Sequence, residues 1–358
     1  MNRGSRGMTR ERFLKHCAAL GLAGTVPSFA WAQAQAAKEE SKMGSEVKDK
    51  VIWAYLMHLG LNMWADRDSP EMGEFACAKP VLRFEDAFWK DLVAKMKAEG
   101  VNAVVVDLGD GVQYKSHPEI AVKDAWTTDR LREELANLRA LGMEPFPKMN
   151  FSTCHDTWLG PYARKVSTDE YYAVVRDLIA EAIALFDTPR LFHLGMDEET
   201  IENQRFYEYA VVRQFDLWWH DLDFYFKEVE KGGSRPWIWS DCYWYKPEEF
   251  TAKMPKSVLQ SPWYYAEELK EDSTAGAVKA YMELEKMGYD QVPTGSNWSS
   301  PKNFENTVAF CAKHIAPEHL KGFLQTPWHA TLERFRKQHF EALEQLGRAR
   351  KYFEGLGT

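Results

Sequence analysis

Beyond its N-terminal region this 358-residue chain has no run of about 18 uncharged apolar residues, so no membrane span is expected in its body. Cysteine is scarce, at five residues, and the spacing of Cys17, Cys77, Cys154, Cys242 and Cys311 fits no zinc motif. If Cys17 leaves with a leader segment, the remaining even number is compatible with disulfides and equally with buried thiols. The chain also lacks the G-x-G-x-x-G and G-x-x-x-x-G-K-[ST] loops that cradle nucleotide phosphates, so no cofactor is expected. A basic stripe is missing as well. The formal charge is −8, and the first 36 residues hold five basic side chains against one acidic, so removing that net +4 leaves about −12. Such an acidic body repels phosphate backbones, which argues against nucleic acid and anionic lipid as partners.

What is present begins with a targeting pattern. Arg3, Arg6, Arg10, Arg12 and Lys15 precede an apolar run from Cys17 to Val26, followed by the small-residue patterns Ala30-Trp31-Ala32 and Ala34-Gln35-Ala36. That order is the order of an export signal. Thr9-Arg10-Glu11-Arg12-Phe13-Leu14-Lys15 resembles a twin-arginine signal, with Glu11 interrupting the arginine pair. The alternative is an N-terminal tail with no export role. On the export reading the chain divides into a signal segment (1–36), a linker (37–49) and one folded unit (50–358), and the protein is expected in the periplasm or outside the cell.

Three times an amphipathic helix passes through a glycine into a β-rich strand: at Ala98-Glu99-Gly100, at Ala140-Leu141-Gly142 and at Lys286-Met287-Gly288. Phe88, Leu92 and Met96 share one helical face, as do Leu131, Leu135 and Leu138. Ser167 to Glu170 forms a capping box for a third helix. Strands are expected near 51–57, 101–107, 143–150, 190–196, 236–241, 257–263, 290–297 and 322–328, each followed by a helical pattern. Eight alternating units predict an α/β fold, a single (β/α)8 TIM barrel, over an open doubly wound sheet.

A barrel carries its chemistry at the C-terminal ends of its strands. Those positions hold His58; Asp107 and Asp110; Asn150 with His155 beyond it; Asp197 and Glu198; Trp239 and Asp241; Trp263 to Tyr265; Asn297 and Trp298; and Trp328 with His329. Many of the 14 tryptophans fall here rather than on helix faces. Aromatic faces pack against the C–H groups of a sugar ring while carboxylates and amides bind its hydroxyls. Taken one at a time, the same tryptophans also suit the cap of a barrel core.

The most specific segment is His193-Leu194-Gly195-Met196-Asp197-Glu198 at the end of the fourth strand. Two adjacent carboxylates repel, and partial burial is expected to raise the pKa of at least one, which is how a general acid stays protonated near neutrality. Asp197, Glu198 and Glu199 also precede a helix expected from near Ile201, where acidic residues favour the N-terminus.

This segment resembles the H-x-G-[GAM]-D-E signature of glycoside hydrolase family 20, the β-N-acetylhexosaminidases. The resemblance implies that Glu198 is the general acid on the leaving glycosidic oxygen. It also implies that Asp197 holds the substrate's 2-acetamido group, whose carbonyl oxygen attacks the anomeric carbon in place of an enzyme nucleophile. Leu108-Gly109-Asp110 resembles the family's second-strand L-x-D-D segment, and Asn150 through His155 its third-strand segment ending in P-G-H. Together they imply an Asp110, His155, Glu198 relay. Pro236 to Asp241 and Ser261-Pro262-Trp263 resemble its fifth and sixth strands, placing Trp239, Asp241 and Trp263 in the pocket.

The sequence departs from the family at three hydroxyl-reading positions. No arginine follows the first strand in His58-Leu59-Gly60-Leu61-Asn62. The tyrosine-x-aspartate near the seventh strand is missing from Thr294-Gly295-Ser296-Asn297-Trp298, with Tyr264 or Tyr265 left to supply a hydroxyl. The eighth-strand tryptophan-x-glutamate becomes Trp328-His329-Ala330. Substrate-binding side chains are therefore expected at Asp110, Asn150, His155, His193, Trp239, Asp241, Trp263, Tyr264, Trp298 and Trp328, with a carbohydrate as partner and no metal. Three other readings remain open. One is a sugar-binding barrel without turnover. Another is a two-carboxylate glycosidase pairing Glu198 with Asp107, Asp110 or Asp241. The third is a metal-dependent hydrolase in which His58, His155, His193, Asp241 and His329 converge.

Overall fold

A computed structural model describes residues 51–356; the expected signal segment and linker lie outside the described residues. Eight parallel strands make one sheet: β1 (Ile52–His58), β2 (Ala103–Asp107), β3 (Glu144–Lys148), β4 (Leu191–His193), β5 (Arg235–Trp239), β6 (Leu259–Ser261), β7 (Thr294–Gly295) and β8 (Gly322–Gln325). Each strand pairs with its chain neighbours, and β1 pairs with both β2 and β8. Single bridges from Gln260 to Gln291 and from Trp263 to Thr294 join β6 to β7, so the ring closes as a (β/α)8 barrel. All eight expected strands occur at their expected places, although β7 is only two residues long.

The helices are α1 (Asp86–Glu99), α2 (Thr128–Ala140), α3 (Asp169–Leu185), α4 (Phe215–Lys231), the short α5 (Cys242–Tyr245) and α6 (Pro247–Lys253), then α7 (Gly276–Lys286), α8 (Asn303–His314) and α9 (Arg336–Gly355). Period-two alternation along the strands separates two cores. Ala54 and Leu56 face the barrel interior with Phe146, Trp237 and Trp239. Trp53, Tyr55 and Met57 face outward, where the apolar stripes of the helices cover them. In α1 that stripe is Phe88, Trp89, Leu92 and Met96, and Gly100 ends the helix at φ 83 by donating its N–H to the carbonyls of Lys97 and Met96.

Two local expectations shift. The cap of α3 is Thr168, whose hydroxyl oxygen accepts the Tyr171 N–H, one residue later than the Ser167 box. Ser167 instead donates to the buried Asp221 carboxylate at 2.7 Å. No helix forms near Ile201: residues 200–209 run through turns and α4 begins only at Phe215. Glu198 has a left-handed φ of 57°, and Glu199 is held by Arg213, so neither is free to open a helix there. The acidic run is thereby separated from any helix N-terminus.

Cys77, Cys154, Cys242 and Cys311 are all free thiols, so the disulfide alternative is not realised among the described residues. None of the described helices is long and apolar enough to cross a membrane.

Candidate active site

At the C-terminal mouth of the barrel lies a cavity of about 480 Å³, within the range of small-molecule sites. Asn150 and His155 enter it from the loop after β3, Asp197 and Glu198 from the end of β4, Trp263 and Tyr265 from β6, Trp298 from β7 and Trp328 from β8.

The backbone after β4 is built to present its acids. Gly195 sits at φ 70, and a Cβ there would lie 2.0 Å from the Asn150 side-chain oxygen, so only glycine fits. Met196 and Glu198 follow at φ 75 and 57, a strained sequence of left-handed residues of the kind that functional sites retain. Asn150 fastens this segment from β3. Its Oδ1 accepts the Met196 N–H at 3.0 Å and its Nδ2 donates to Asp197 Oδ1 at 2.8 Å. From β5, Asp241 Oδ2 accepts the Glu198 N–H at 2.9 Å.

His155 Nε2 lies 3.4 Å from Asp197 Oδ2 and 3.3 Å from Glu198 Oε2. Burial works against charge on this imidazole, but the Asp197 and Glu198 carboxylates outweigh it and push its pKa up to about 10. Burial likewise opposes ionisation of Asp197. His155, the Asn150 amide and the more distant Lys148 ammonium reverse that and bring its carboxyl down to about 2. Asp197 is therefore not a raised carboxyl. A raised one stands beside the pair at Asp241, which burial and the Asp197 charge push up to about 8. The Asp197 side chain is 10% exposed and that of Glu198 37%. The first is thus a held anion at the base of the cavity and the second a carboxyl within reach of an entering ligand.

A further charge pair anchors these loops. Arg213 meets Glu199 with two nitrogens, at 2.9 and 2.7 Å, and also donates to the Phe151 carbonyl at 2.7 Å and to Asp221 at 3.1 Å. Glu199 in turn accepts the Thr153 N–H at 3.2 Å. The loop carrying Asp197 and Glu198 is so pinned to the loop carrying His155.

Several expected residues lie elsewhere. Asp110 does not reach His155: its carboxylate takes the Asn62 amide at 2.6 Å, and burial raises its pKa to about 7. The expected relay is therefore reduced to the contact between His155 and Glu198, with Asp197 on the other side of the imidazole. His193 is fully buried beneath the cavity, its ring tilted against Trp237 and Trp239 with centroids 4.8 and 4.3 Å away, and its Nδ1 accepts the Gly195 N–H at 3.0 Å. Trp239 lies in the barrel interior, 6.1 Å from the Trp328 ring, and so supports the floor without lining the cavity. Tyr264 packs against the outer core, and its neighbour Tyr265 enters the cavity in its place. Asp107 is buried on Lys148 at 2.7 Å and His58 at 3.0 Å, below the mouth.

Other lining residues were not anticipated: Met63, Trp64 and the segment 72–76 from the long loop after β1, and Phe335 after β8. Trp64 had a signal, being an aromatic six residues past a strand end; the loop segment had none.

Among the described residues one group of histidines and acids has metal-site geometry. His155, Asp197 and Glu198 offer ligand atoms within 4.8 Å of one another. A histidine held as imidazolium by those same carboxylates has no lone pair to give, so a metal would have to displace its proton. The wider convergence expected for a metal hydrolase does not form. His58 and His193 are below the floor, and His329 stacks on Phe335 with ring centroids 4.6 Å apart.

No family model matches the sequence, and no curated protein matches it. Solved structures do match. The β-N-acetylhexosaminidase of Streptomyces coelicolor A3(2), of glycoside hydrolase family 20, superposes with TM-score 0.55 at 13% identity over 82% of this chain and 64% of that one. A Streptomyces plicatus β-hexosaminidase in complex with product gives 0.56 at 13% identity over 84% and 64%. A Vibrio harveyi exo-β-N-acetylglucosaminidase in complex with N-acetylglucosamine gives 0.52 at 14% identity over 86% and 58%. This chain thus spans less than two thirds of each. At such identity the likeness is one of fold, and the fold shared is that of the family 20 β-N-acetylhexosaminidases.

Proposed function

We propose that the chain is an exported glycoside hydrolase that cleaves β-linked 2-acetamido sugars by substrate-assisted, retaining hydrolysis. The observation that carries this reading is the placing of Asp197 and Glu198 side by side in one cavity, the first anchored by Asn150 and His155 and the second partly exposed. An anion fixed beside a carboxyl is what the mechanism asks for. Glu198 gives its proton to the leaving oxygen, while Asp197 orients the acetamido N–H and offsets the positive charge that grows as the acetamido oxygen closes on the anomeric carbon. His155 steadies both carboxylates, and Trp263, Trp298 and Trp328 supply aromatic faces for the ring.

A two-carboxylate mechanism needs acids on opposite faces of the sugar, about 5 to 9 Å apart. Asp107, Asp110 and Asp241 are each engaged below or beside the cavity and do not line it. A binding barrel without turnover has one observation in its favour: among the described residues no lysine or arginine lines the cavity to grip hydroxyls.

The test is hydrolysis of chromogenic β-glycosides of N-acetylglucosamine, N-acetylgalactosamine, glucose and galactose by the protein lacking residues 1–36. Release from the acetamido sugars alone supports the proposal, release from plain sugars favours the two-carboxylate mechanism, and binding without release favours the sugar-binding barrel. Export rests on the N-terminal residues and is tested by the size and compartment of the mature chain.

A further inference from the structure

The two sides of the cavity are chemically unlike. Asn150, His155, Asp197 and Glu198 come from β3 and β4, which face β7 and β8 across an eight-stranded ring. The far side, built after β1, β7 and β8, is apolar. Phe75 packs edge-on against Phe335 at 4.6 Å, His329 stacks on Phe335 at 4.6 Å, and Trp298 lies 5.4 Å from His329. Met63, which packs with Phe335, and Met72 also line the cavity. Burial lowers the His329 pKa to about 4, so that ring is neutral. Among the described residues Glu74 is the single carboxylate lining this side; it is two-thirds exposed and stands 3.7 Å from Arg334.

We infer that the sugar taken by this site is deoxy or O-acylated along the edge remote from the scissile bond, where an ordinary hexosamine carries free hydroxyls. The inference rests on the hydrolase reading for the sugar's orientation, with its anomeric carbon at Glu198. A sugar so placed turns its far edge toward thioethers and aromatic rings. A hydroxyl buried there loses water and gains almost no partner, whereas a methyl or acyl group gains contact. On this wall no lysine or arginine among the described residues is placed to grip a hydroxyl.

The experiment compares three phenyl 1-thio-β-glycosides by calorimetry on the protein lacking residues 1–36: that of N-acetylglucosamine, its 6-deoxy analogue and its 4,6-di-O-acetyl analogue. These resist hydrolysis, so affinity is read without turnover. The 4-nitrophenyl O-glycosides of the same sugars give kcat/KM in parallel. The expected result is at least about tenfold tighter binding of one modified sugar than of the parent, as expected where a buried hydroxyl loses its partners, with that preference reduced in Phe335→Ser. Parent binding equal to or tighter than both analogues overturns the inference, as does failure of all three to bind. The ranking without hydrolysis of any O-glycoside leaves the inference standing and removes the hydrolase reading; hydrolysis without the ranking does the reverse.

Discussion

Asp241 accepts the backbone N–H of Glu198 at 2.9 Å, across from β5 to the end of β4, and so holds the Glu198 main chain in its left-handed conformation. Burial and the Asp197 charge raise the Asp241 carboxyl to about 8. Between about pH 4, where an unfolded aspartate ionises, and pH 8, the folded chain keeps a proton that the unfolded chain has lost. Stability attributable to this group therefore falls as pH rises through that window. Asp241→Asn keeps an acceptor for Glu198 and removes the titration. Its melting temperature should decline less than the wild type's between pH 5 and pH 9; parallel curves would refute the assignment.

His155 and Asp197 titrate in opposite senses. The imidazole's raised pKa contributes stability fully below about pH 6.5 that is lost as pH rises through about 10. Asp197's lowered pKa contributes stability above about pH 4 that is lost as pH falls toward 2. His155→Gln removes the positive charge from between two carboxylates. The variant should lose activity by about tenfold to a hundredfold, in the range of a residue that tunes an acid, and its stability should depend less on pH at both ends. Unchanged pH–stability curves in the variant would contradict the ion-pair account.

Gly195 and Asn150 form a tight fit, and Gly195→Ala tests it. The added Cβ would meet the Asn150 side chain at 2.0 Å in a residue already at φ 70. The substitution should destabilise by more than about 1 kcal/mol and lower kcat, since Asn150 carries Asp197. Equal stability and activity by denaturant titration and turnover would show that the turn relaxes freely.

Glu199 and Arg213 are both nearly inaccessible, with side chains 4% and 1% exposed. Breaking a buried pair leaves an uncompensated charge, at about 3 to 5 kcal/mol. Arg213→Met should therefore lower the denaturant midpoint strongly, and Glu199→Gln/Arg213→Met together less than the sum of the two. Simple additivity would argue that the two loops are held independently.

Much of this arrangement was legible in the sequence, and the part that was not has a common cause. Strand positions follow from hydrophobic runs bounded by glycine caps, which are local, and a barrel's mouth follows from strand ends. Asn150, His155, Asp197, Glu198, Trp263, Trp298 and Trp328 could thus be placed at one cavity from chain position alone. Tyr264 and Tyr265 lie three and four residues past the end of a three-residue strand, where alternation gives no phase. Asp110 points away because Asn62, 48 residues earlier, is its partner. The segment 72–76 reaches the cavity only through tertiary contacts such as Phe75 on Phe335. His193 fits a motif yet lies below the floor, since a strand residue preceding the mouth points into the barrel.

The assignment of Glu198 as proton donor is tested most directly by leaving-group dependence. kcat/KM would be measured for wild type, Glu198→Gln and Asp197→Asn on 2-acetamido-β-glycosides whose leaving groups run from dinitrophenol to methanol. Dinitrophenol departs without a proton; methanol needs one. The account predicts that Glu198→Gln loses little on the first and on the order of a hundredfold or more on the second, while Asp197→Asn loses similar factors on both. A loss in Glu198→Gln that is equal across the series would contradict it, and proton donation would then have to be sought in another residue.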